Sequence, residues 1–381
     1  MKSNYRYIVK AFMAMAVIAG TTSCDDFLDR EPMSSISPET YYSTAAQLEA
    51  NLNDEYPNVL PSFGQWTYGI FGEDKGTDNQ IEVNANDRYT QDRWKVPHSE
   101  SDNWKFERIY RINFFLSEAL PKFGEDMSGS QNTISGSVAT IKHYIGEMYF
   151  LRAYEYFKKL QLFGDFPIIN QPLADEMEAL REASKRFPRN EVARFIISDL
   201  DKAYAYMSDV DMATTRINKD VAMLVKSRVA LFEATWLQNF KGTAFVPGGE
   251  GWPGASLHNN YQYPSGNIDN EVKYFLEQAV EASKLVADKY KGSLTENTGV
   301  LQQSADDPSN PYFDMFAQED LSDVKEVLLW RQYARGLSTH NINAAAGRGN
   351  YRIGLTRGFV QNFLMKDGTP VYAHGSYADG D

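Results

Sequence analysis

The sequence has few of the residues that most catalytic and metal sites need. It contains one cysteine, Cys24, in 381 residues, so no disulfide can form within the chain. Its five histidines are scattered without an HExxH or His-x-His pair, and it has neither a Gly-x-Ser-x-Gly nucleophile elbow nor a phosphate-binding loop. These absences argue against zinc hydrolases, serine hydrolases and nucleoside triphosphatases. The sequence implies no metal and no other cofactor.

A long hydrophobic run is also missing. The most apolar stretch, AFMAMAVIAG at residues 11–20, is far shorter than the roughly 20 residues that span a bilayer. It follows a basic segment with Lys2, Arg6 and Lys10, and it precedes three small residues and Cys24. We therefore predict that residues 1–23 are a signal peptide and that Cys24 becomes the lipidated first residue of the mature protein. A general secretory signal with an incidental cysteine is the alternative.

Positive charge is scarce as well, because 38 Lys and Arg stand against 51 Asp and Glu, a net charge of −13. The predicted leader holds three basic residues and no acid, so its removal makes the net charge −16. Such an acidic surface repels phosphate, which argues against nucleic acid as a partner and against electrostatic adhesion to anionic headgroups. Membrane attachment would then depend on lipid at Cys24, where stable anchoring needs more than one acyl chain.

What the sequence has in quantity is helical periodicity. Four proline-free segments place apolar residues at helical spacing, namely 141–163, 190–207, 218–240 and 271–290. Asn190 and Asn218 stand where N-caps belong, and Gly164 stands where the first of these helices should end. Shorter elements are also predicted: helices at 45–53 and 103–120, and a strand at 326–333.

The four helices form two pairs that are related by an internal repeat. An offset of 76 residues aligns Gly146 with Ala222, Arg152 with Arg228, and Ala203 with Ala279. Small residues at these positions would let helix backbones approach closely, as in stacked tetratricopeptide repeats. We therefore expect a mainly α fold, a tetratricopeptide-like helix-pair superhelix with long irregular loops and little β structure. Unrelated amphipathic helices in a bundle are the alternative. Arg152 and Arg228 are predicted to form structural ion pairs or helix caps.

Aromatic residues make up 13% of the chain and fall into two groups. Those at helical spacing are predicted to pack in the core or in helix grooves: Tyr149, Phe150, Tyr154, Phe157, Tyr204 and Tyr206. Others lie in long loops at 63–101, 243–267 and 297–320, which are rich in Gly, Asn, Asp and Pro. Loops of this length within a compact protein are usually functional.

The first long loop has the composition of a sugar-binding surface. Sugars need flat aromatic faces for their C–H surfaces and planar polar groups for their hydroxyls. The candidate ligand contacts in this loop are Trp66, Asp74, Asn86, Tyr89, Arg93 and Trp94, with Trp94 as the stacking platform. Trp252, Tyr261 and Tyr263 form a second candidate surface in the loop after 218–240. Ordinary packing is the alternative for both groups.

Several motifs in order resemble the SusD/RagB family of outer-membrane nutrient-binding lipoproteins of the Bacteroidetes. They are CDDFLDREP from Cys24, RIYRIN up to Asn113, GEMYFLRAYEYFKKLQLFGDFPII from Gly146, RNEVARFIISDLDKA, TRINKDVAMLVKSRVALFEA, KEVLLWRQY and FLMKDGTP. The resemblance implies a single domain after the leader, 24–381, with a helical repeat core at about 141–291. It places ligand-site loops outside the repeats, at about 63–101 and 243–267. Family members usually continue well beyond the MKDG motif, so the chain resembles a shortened member.

The resemblance also implies a function. A surface-tethered receptor of this family captures glycan and hands it to a SusC-like TonB-dependent transporter, without a covalent step. The expected location is the outer face of the cell outer membrane, with the protein held there by its lipid anchor. Three alternatives stay open. One is a peptide-binding member of the same family, another is a surface glycoside hydrolase, for which two carboxylates in a cleft would suffice, and the third is a helical scaffold with no ligand of its own.

Overall fold

The structure is a computed structural model. It describes residues 41–61, 73–82, 90–91, 103–124, 126–208, 212–301, 304, 306–334, 339 and 353–375. The helices are α1 (Ala45–Val59), α2 (Glu107–Phe123), α3 (Val138–Phe163), α4 (Met177–Ala183), α5 (Arg189–Tyr206), α6 (Lys219–Asn239), α7 (Ile268–Tyr290), α8 (Pro311–Ala317) and α9 (Arg357–Val360). The strands β1 (Gln80–Glu82) and β2 (Ile353–Leu355) pair antiparallel. The described part of the chain is therefore mainly α, as predicted, and none of its helices is long and apolar enough to cross a membrane.

Polar side chains determine where several helices begin. Thr44 and Gln47 form a capping box at the start of α1, and the Asn218 side chain accepts a hydrogen bond from the Val221 N–H at 3.1 Å. The N-cap prediction for Asn190 is wrong, because α5 begins one residue earlier, at Arg189. The buried Asn190 side chain instead donates to the Tyr261 hydroxyl at 2.9 Å. It therefore holds a distant loop against α5.

The six long helices of the described structure stack in chain order, as the repeat predicts. Helices α1 and α2 pack on α3, α3 packs on α5, α5 on α6, and α6 on α7. Backbones approach closely at Gly146, where an added Cβ would lie 2.9 Å from the Ala203 carbonyl oxygen. Ala222 and Ala279 are buried in the second pair. One continuous apolar core runs through the stack.

The predicted structural role is found for one of the two repeated arginines and not for the other. Arg152 is buried and paired with Asp199, which confirms its structural role. Arg228 is exposed, and no ion pair is found for it in the part of the chain that the structure describes, so that prediction is wrong. The difference follows from the repeat offset, which aligns Asp199 with Phe275. Arg228 therefore has an uncharged residue at the position that corresponds to the partner of Arg152. The six aromatic residues predicted to pack in the core are buried or half-buried, as expected.

The strand predicted at 326–333 is absent from the structure. That segment is held by single contacts to the loop before α6: the Trp330 N–H donates to the Thr214 carbonyl at 3.2 Å, and the Asn218 amide donates to the Leu328 carbonyl at 2.9 Å. A strand needs a partner that supplies a ladder of backbone bonds. Here the neighbouring elements are helices and loops, so the segment stays irregular.

Candidate functional site

A buried hydrogen-bond network fixes the segment that follows α3. Arg152 donates to the two carboxylate oxygens of Asp199 at 2.6 and 2.8 Å and to Asn113 Oδ1 at 2.9 Å. The Asn113 amide and the Tyr156 hydroxyl both donate to the Ile169 carbonyl, at 2.9 and 3.0 Å. The segment after α3 is therefore tied to α2, α3 and α5.

Asp165 lies at the start of this segment, directly after Gly164, whose φ of +68° ends α3. Its carboxylate accepts a hydrogen bond from the Arg189 backbone N–H at 2.9 Å and another from the Trp252 indole N–H at 2.7 Å. Burial raises the pKa of Asp165, while these bonds and the charge of Arg189 oppose the rise. The carboxylate therefore joins the start of α5 to the loop after α6.

A cavity of about 750 Å³ opens beside Asp165, between the end of α3, the start of α5 and the loop after α6. Cavities of this size hold small molecules in many proteins. The apolar part of its wall includes Leu160, Leu162, Phe163, Trp236, Phe245, Trp252 and Leu257. Its polar side chains are Gln161, Asp165, Ser184, Arg186 and Arg189. Phe245 and Leu162 are 62% and 57% exposed, so apolar surface is open to a ligand.

The charge of Arg189 is neutralised within the protein. Its guanidinium forms a buried two-point pair with Glu233 of α6, at 3.0 and 2.9 Å, and lies 4.1 Å from the centroid of the Trp236 ring. Burial raises the pKa of Glu233, and the adjacent Arg189 opposes that rise. The pair therefore fixes Trp236 in the cavity wall but leaves little charge for a ligand.

Arg186 differs from Arg189, although both line the cavity. It is exposed, and its guanidinium lies 4.5 Å from the centroid of the Trp104 ring. None of the acidic side chains in the described ranges forms an ion pair with it. Such a stacked guanidinium keeps its hydrogen-bond donors available at its edges.

The second predicted surface, Trp252, Tyr261 and Tyr263, does come together. Ring centroids are 5.6 Å apart for Trp252 and Tyr261 and 5.2 Å apart for Tyr261 and Tyr263. Trp252 is only 5% exposed, however, and its indole N–H donates a hydrogen bond to the Asp165 carboxylate. The Tyr263 hydroxyl donates to the Pro247 carbonyl at 2.6 Å. The three side chains therefore hold the loop in place, and of the three Trp252 alone lines the cavity. Their role as ligand contacts stays a prediction.

Most of the first predicted surface lies outside the described residues, namely Trp66, Asn86, Tyr89, Arg93 and Trp94. Cys24, the predicted lipid attachment site, lies outside them as well. Asp74 is described and exposed, in a turn where its carbonyl accepts a hydrogen bond from the Thr77 N–H at 3.1 Å. The adjoining strand β1 is held by β2, and the Thr356 N–H donates to the Asn79 carbonyl at 2.9 Å. Ligand contacts from this loop, including Asp74, stay predictions.

Sequence reasoning did not single out Asp165, Arg186 or Trp236. A signal for Asp165 was present, because a Gly-Asp-x-Pro turn directly after a long helix places a carboxylate at a helix end. Trp236 and Trp252 flank a glycine-bearing stretch, which indicates a loop that folds back on the helix. Nothing in the sequence marks Arg186, whose position depends on Trp104.

The described cavity wall offers aromatic faces and hydrogen-bonding groups. Asp165 is the one carboxylate among the described residues that line it, and both of its oxygens are occupied. Glycoside hydrolysis requires two carboxyl groups that face the scissile bond. Among the described residues, no group of three or more His, Cys, Asp or Glu side chains is arranged to hold a metal ion.

Comparison with known proteins identifies a family whose model matches this chain. A SusD-like family model, described as starch-binding and associating with the outer membrane, matches residues 26–231, more than half of the chain. Two curated relatives are SusD-like proteins P2 and P25 from Formosa agariphila, each 25% identical, over 63% and 56% of this chain. The matches cover 46% and 41% of those proteins, so the chain spans less than half of their length.

A solved structure gives the same fold. A SusD-like carbohydrate-binding protein from Bacteroides fragilis is similar with a TM-score of 0.50 over 87% of this chain and 55% of that chain, at 15% identity. At this level of identity the likeness concerns the fold alone.

Proposed function

Because the chain belongs to the SusD-like family, we propose that it is a cell-surface lipoprotein that binds oligosaccharide or polysaccharide. The cavity beside Asp165 carries this proposal within the structure. Its wall combines exposed aromatic and aliphatic surface with planar polar side chains, the combination that saccharides need. The long loop 63–101, with Trp94, Tyr89, Asn86, Arg93, Asp74 and Trp66, would supply a second contact surface.

The proposed action is capture without covalent chemistry. The described cavity wall offers one carboxylate, which is already engaged, so we propose that the glycan leaves unchanged. Stacking and a few hydrogen bonds to a ligand that stays hydrated outside the site favour weak to moderate affinity. Such affinity suits a protein that must release its ligand to a transporter.

The proposed location is the outer face of the cell outer membrane, with a SusC-like TonB-dependent transporter as the recipient of the glycan. Cys24 would carry the acyl chains after removal of residues 1–23. Replacing Cys24 with Ala should abolish incorporation of labelled palmitate and shift the protein from the membrane pellet to the soluble fraction. Continued labelling of the Cys24→Ala variant would contradict the assignment of Cys24 as the lipid attachment site.

Glycan binding can be tested by affinity electrophoresis through gels that contain starch or one of a panel of neutral and acidic polysaccharides. The chain is produced without its predicted leader and Cys24. We expect retardation in at least one gel and intact polysaccharide afterwards. Trp94→Ala should weaken retention by up to about tenfold, the effect of removing one stacking contact worth ~1.4 kcal/mol.

Tyr110→Ala provides the matched control, because Tyr110 is a half-exposed aromatic on α2 outside both proposed surfaces. It should leave retention unchanged. Shortened glycan products would overturn the non-enzymatic proposal in favour of a glycosidase. Retention by immobilised peptides together with none by any polysaccharide would favour the peptide-binding alternative.

A further inference from the structure

Three charged side chains line the described cavity wall, and they differ in the partners that they have within the protein. The Asp165 carboxylate oxygens accept hydrogen bonds from the Trp252 indole N–H and the Arg189 backbone N–H, at 2.7 and 2.9 Å. Arg189 is neutralised by the buried Glu233. Neither Arg186 nor Asp165 forms an ion pair within the described part of the chain, although burial raises the pKa of Asp165 and the charge of Arg186 helps to lower it. Both Asp165 oxygens are engaged by N–H groups, whereas the Arg186 guanidinium keeps its hydrogen-bond donors available to a ligand, in a protein whose net charge is −13.

The position of Arg186 is well defined on both sides. Its guanidinium is stacked on Trp104, which is itself packed edge-on against Phe163 and Phe166 at centroid distances of 4.9 Å. The next residue, Phe187, exchanges two backbone hydrogen bonds with Phe166, at 3.0 and 3.1 Å. A guanidinium held in this way loses little conformational entropy when a ligand binds.

A neighbouring cation does not share this property. Lys185 precedes Arg186 in the chain, but it points its charge at Glu182, with the nitrogen 2.6 Å from a carboxylate oxygen. The Gln161 amide also lines the cavity and makes no hydrogen bond within the described part of the chain. The cavity thus combines one available guanidinium, one available amide and exposed apolar surface.

We propose that this cavity is a subsite for an anionic sugar unit, with the carboxylate of a uronic acid or the sulfate ester of a sulfated sugar on Arg186. The inference rests on the glycan binding proposed above and names the class of glycan. A planar guanidinium matches the two oxygens of such a group, and charge-assisted hydrogen bonds of this kind are about twice as strong as neutral ones. The apolar face of the sugar would contact Phe245 and Trp236, and Gln161 would bind a hydroxyl.

The test compares oligosaccharides of one length that differ in a single feature: a uronate oligomer, its carboxyl-reduced neutral form, and a sulfated derivative of the neutral form. Calorimetry at physiological salt gives each dissociation constant. The unaltered chain should bind at least one anionic form about tenfold more tightly than the neutral form. The preferred anion identifies which of the two groups Arg186 receives.

Two variants assign the preference to Arg186. Arg186→Gln keeps a planar polar group without charge and should abolish the tenfold preference, so that its dissociation constants for the anionic and neutral forms become equal. Arg181→Gln is the matched control, because Arg181 is an exposed arginine on α4 outside the cavity, and it should bind all three forms as the unaltered chain does. Circular dichroism of each variant verifies the fold.

The outcomes separate the two proposals. Equal affinity of the unaltered chain for neutral and anionic forms would overturn the inference while leaving glycan binding in place. An anionic preference that survives Arg186→Gln would also overturn it, because the charge would then act elsewhere. Absence of binding to any oligosaccharide in calorimetry and to any polysaccharide in electrophoresis would instead defeat the proposed function itself.

Discussion

At the scale of single residues, the motifs that identify the family supply buried contacts. Asn113, Arg152 and Tyr156 all lie in such motifs, and their side chains converge on one another or on the Ile169 carbonyl. Arg152 and Asp199 are almost fully buried, so each needs the other to offset its lost hydration. These residues therefore make the fold recognisable in the sequence. Because their side chains contact other parts of the protein, they give no information about the ligand.

The Arg152–Asp199 pair gives the first prediction. Arg152→Met should destabilise the protein by about 3–5 kcal/mol, because it removes both short hydrogen bonds to the buried Asp199 carboxylate and leaves only the half-exposed Lys202, 3.9 Å away, as a counter-charge. Urea unfolding followed by circular dichroism measures the change. Arg228→Met is the matched control at the aligned repeat position, and since Arg228 is exposed and unpaired in the described structure, the change should stay within about 0.5 kcal/mol. Similar losses in both variants would show that the pair has no special role.

At the scale of elements, the sequence predicts the long helices well and their ends less well. Helix α1 was expected at 45–53 but continues to Val59 despite Pro57 in its last turn, because Glu55 and Val59 are buried against the rest of the protein. Helix α7 begins at Ile268, three residues early, because the Asn267 side chain accepts a hydrogen bond from the Asn270 N–H at 2.9 Å. Periodicity locates a helix, whereas caps depend on single residues that also serve other roles, as Asn190 shows.

The site is harder to predict than the helices for a related reason. Residue types indicated an aromatic surface at Trp252, but its burial depends on Asp165, which lies 87 residues away in the chain. Arg186 likewise acquires its place from Trp104. Local patterns carry no information about such contacts, so aromatic composition predicts a candidate surface but not which faces stay exposed.

Close packing between α3 and α5 gives a prediction for Gly146. Gly→Ala within a helix ordinarily stabilises by about 0.5–1 kcal/mol. Here the new Cβ would lie 2.8 Å from the Met207 backbone nitrogen and 2.9 Å from the Ala203 carbonyl oxygen, so backbone must move. We expect Gly146→Ala to destabilise by about 1–3 kcal/mol, as overpacking usually does.

Thermal and urea unfolding of Gly146→Ala measure this effect, with Gly292→Ala as the control. An added Cβ at Gly292 meets no atom within 4 Å, so its effect should stay within about 0.5 kcal/mol. Unchanged or increased stability of Gly146→Ala would show that α3 and α5 can separate at little cost. The repeat would then not depend on the small residue at this position.

At the scale of the whole molecule, ion pairs cross successive helix interfaces. The pairs are Arg152 with Asp199, Arg189 with Glu233, Arg194 with Glu271, and Lys289 with Asp220. They join α3 to α5, α5 to α6, α5 to α7, and α7 to α6. A shift of one helix along its neighbour would leave charged groups buried without partners, at a cost of several kcal/mol for the fully buried pairs. The stack is therefore fixed in register by charge as well as by shape.

Buried tyrosines make this stack sensitive to alkaline pH. Burial raises the pKa of Tyr42 and of Tyr149 from the ordinary value of 10.0 to about 12. Between these values the unfolded chain has lost the two protons while the folded chain keeps them, so the free energy of unfolding falls as pH rises. The stabilisation is complete below about pH 10 and is lost as pH rises through about 12.

Urea unfolding at intervals from about pH 8 to about pH 11, with tyrosinate absorbance recorded in parallel, measures this loss. Tyr149→Phe provides the comparison, because it removes one of the groups whose pKa burial raises and keeps the ring that packs on Tyr206 at 5.6 Å. Its stability should fall less steeply with pH than that of the unaltered chain. Equal slopes would mean that Tyr149 ionises as readily in the folded chain as in the unfolded one, which would contradict its burial between α3 and α5.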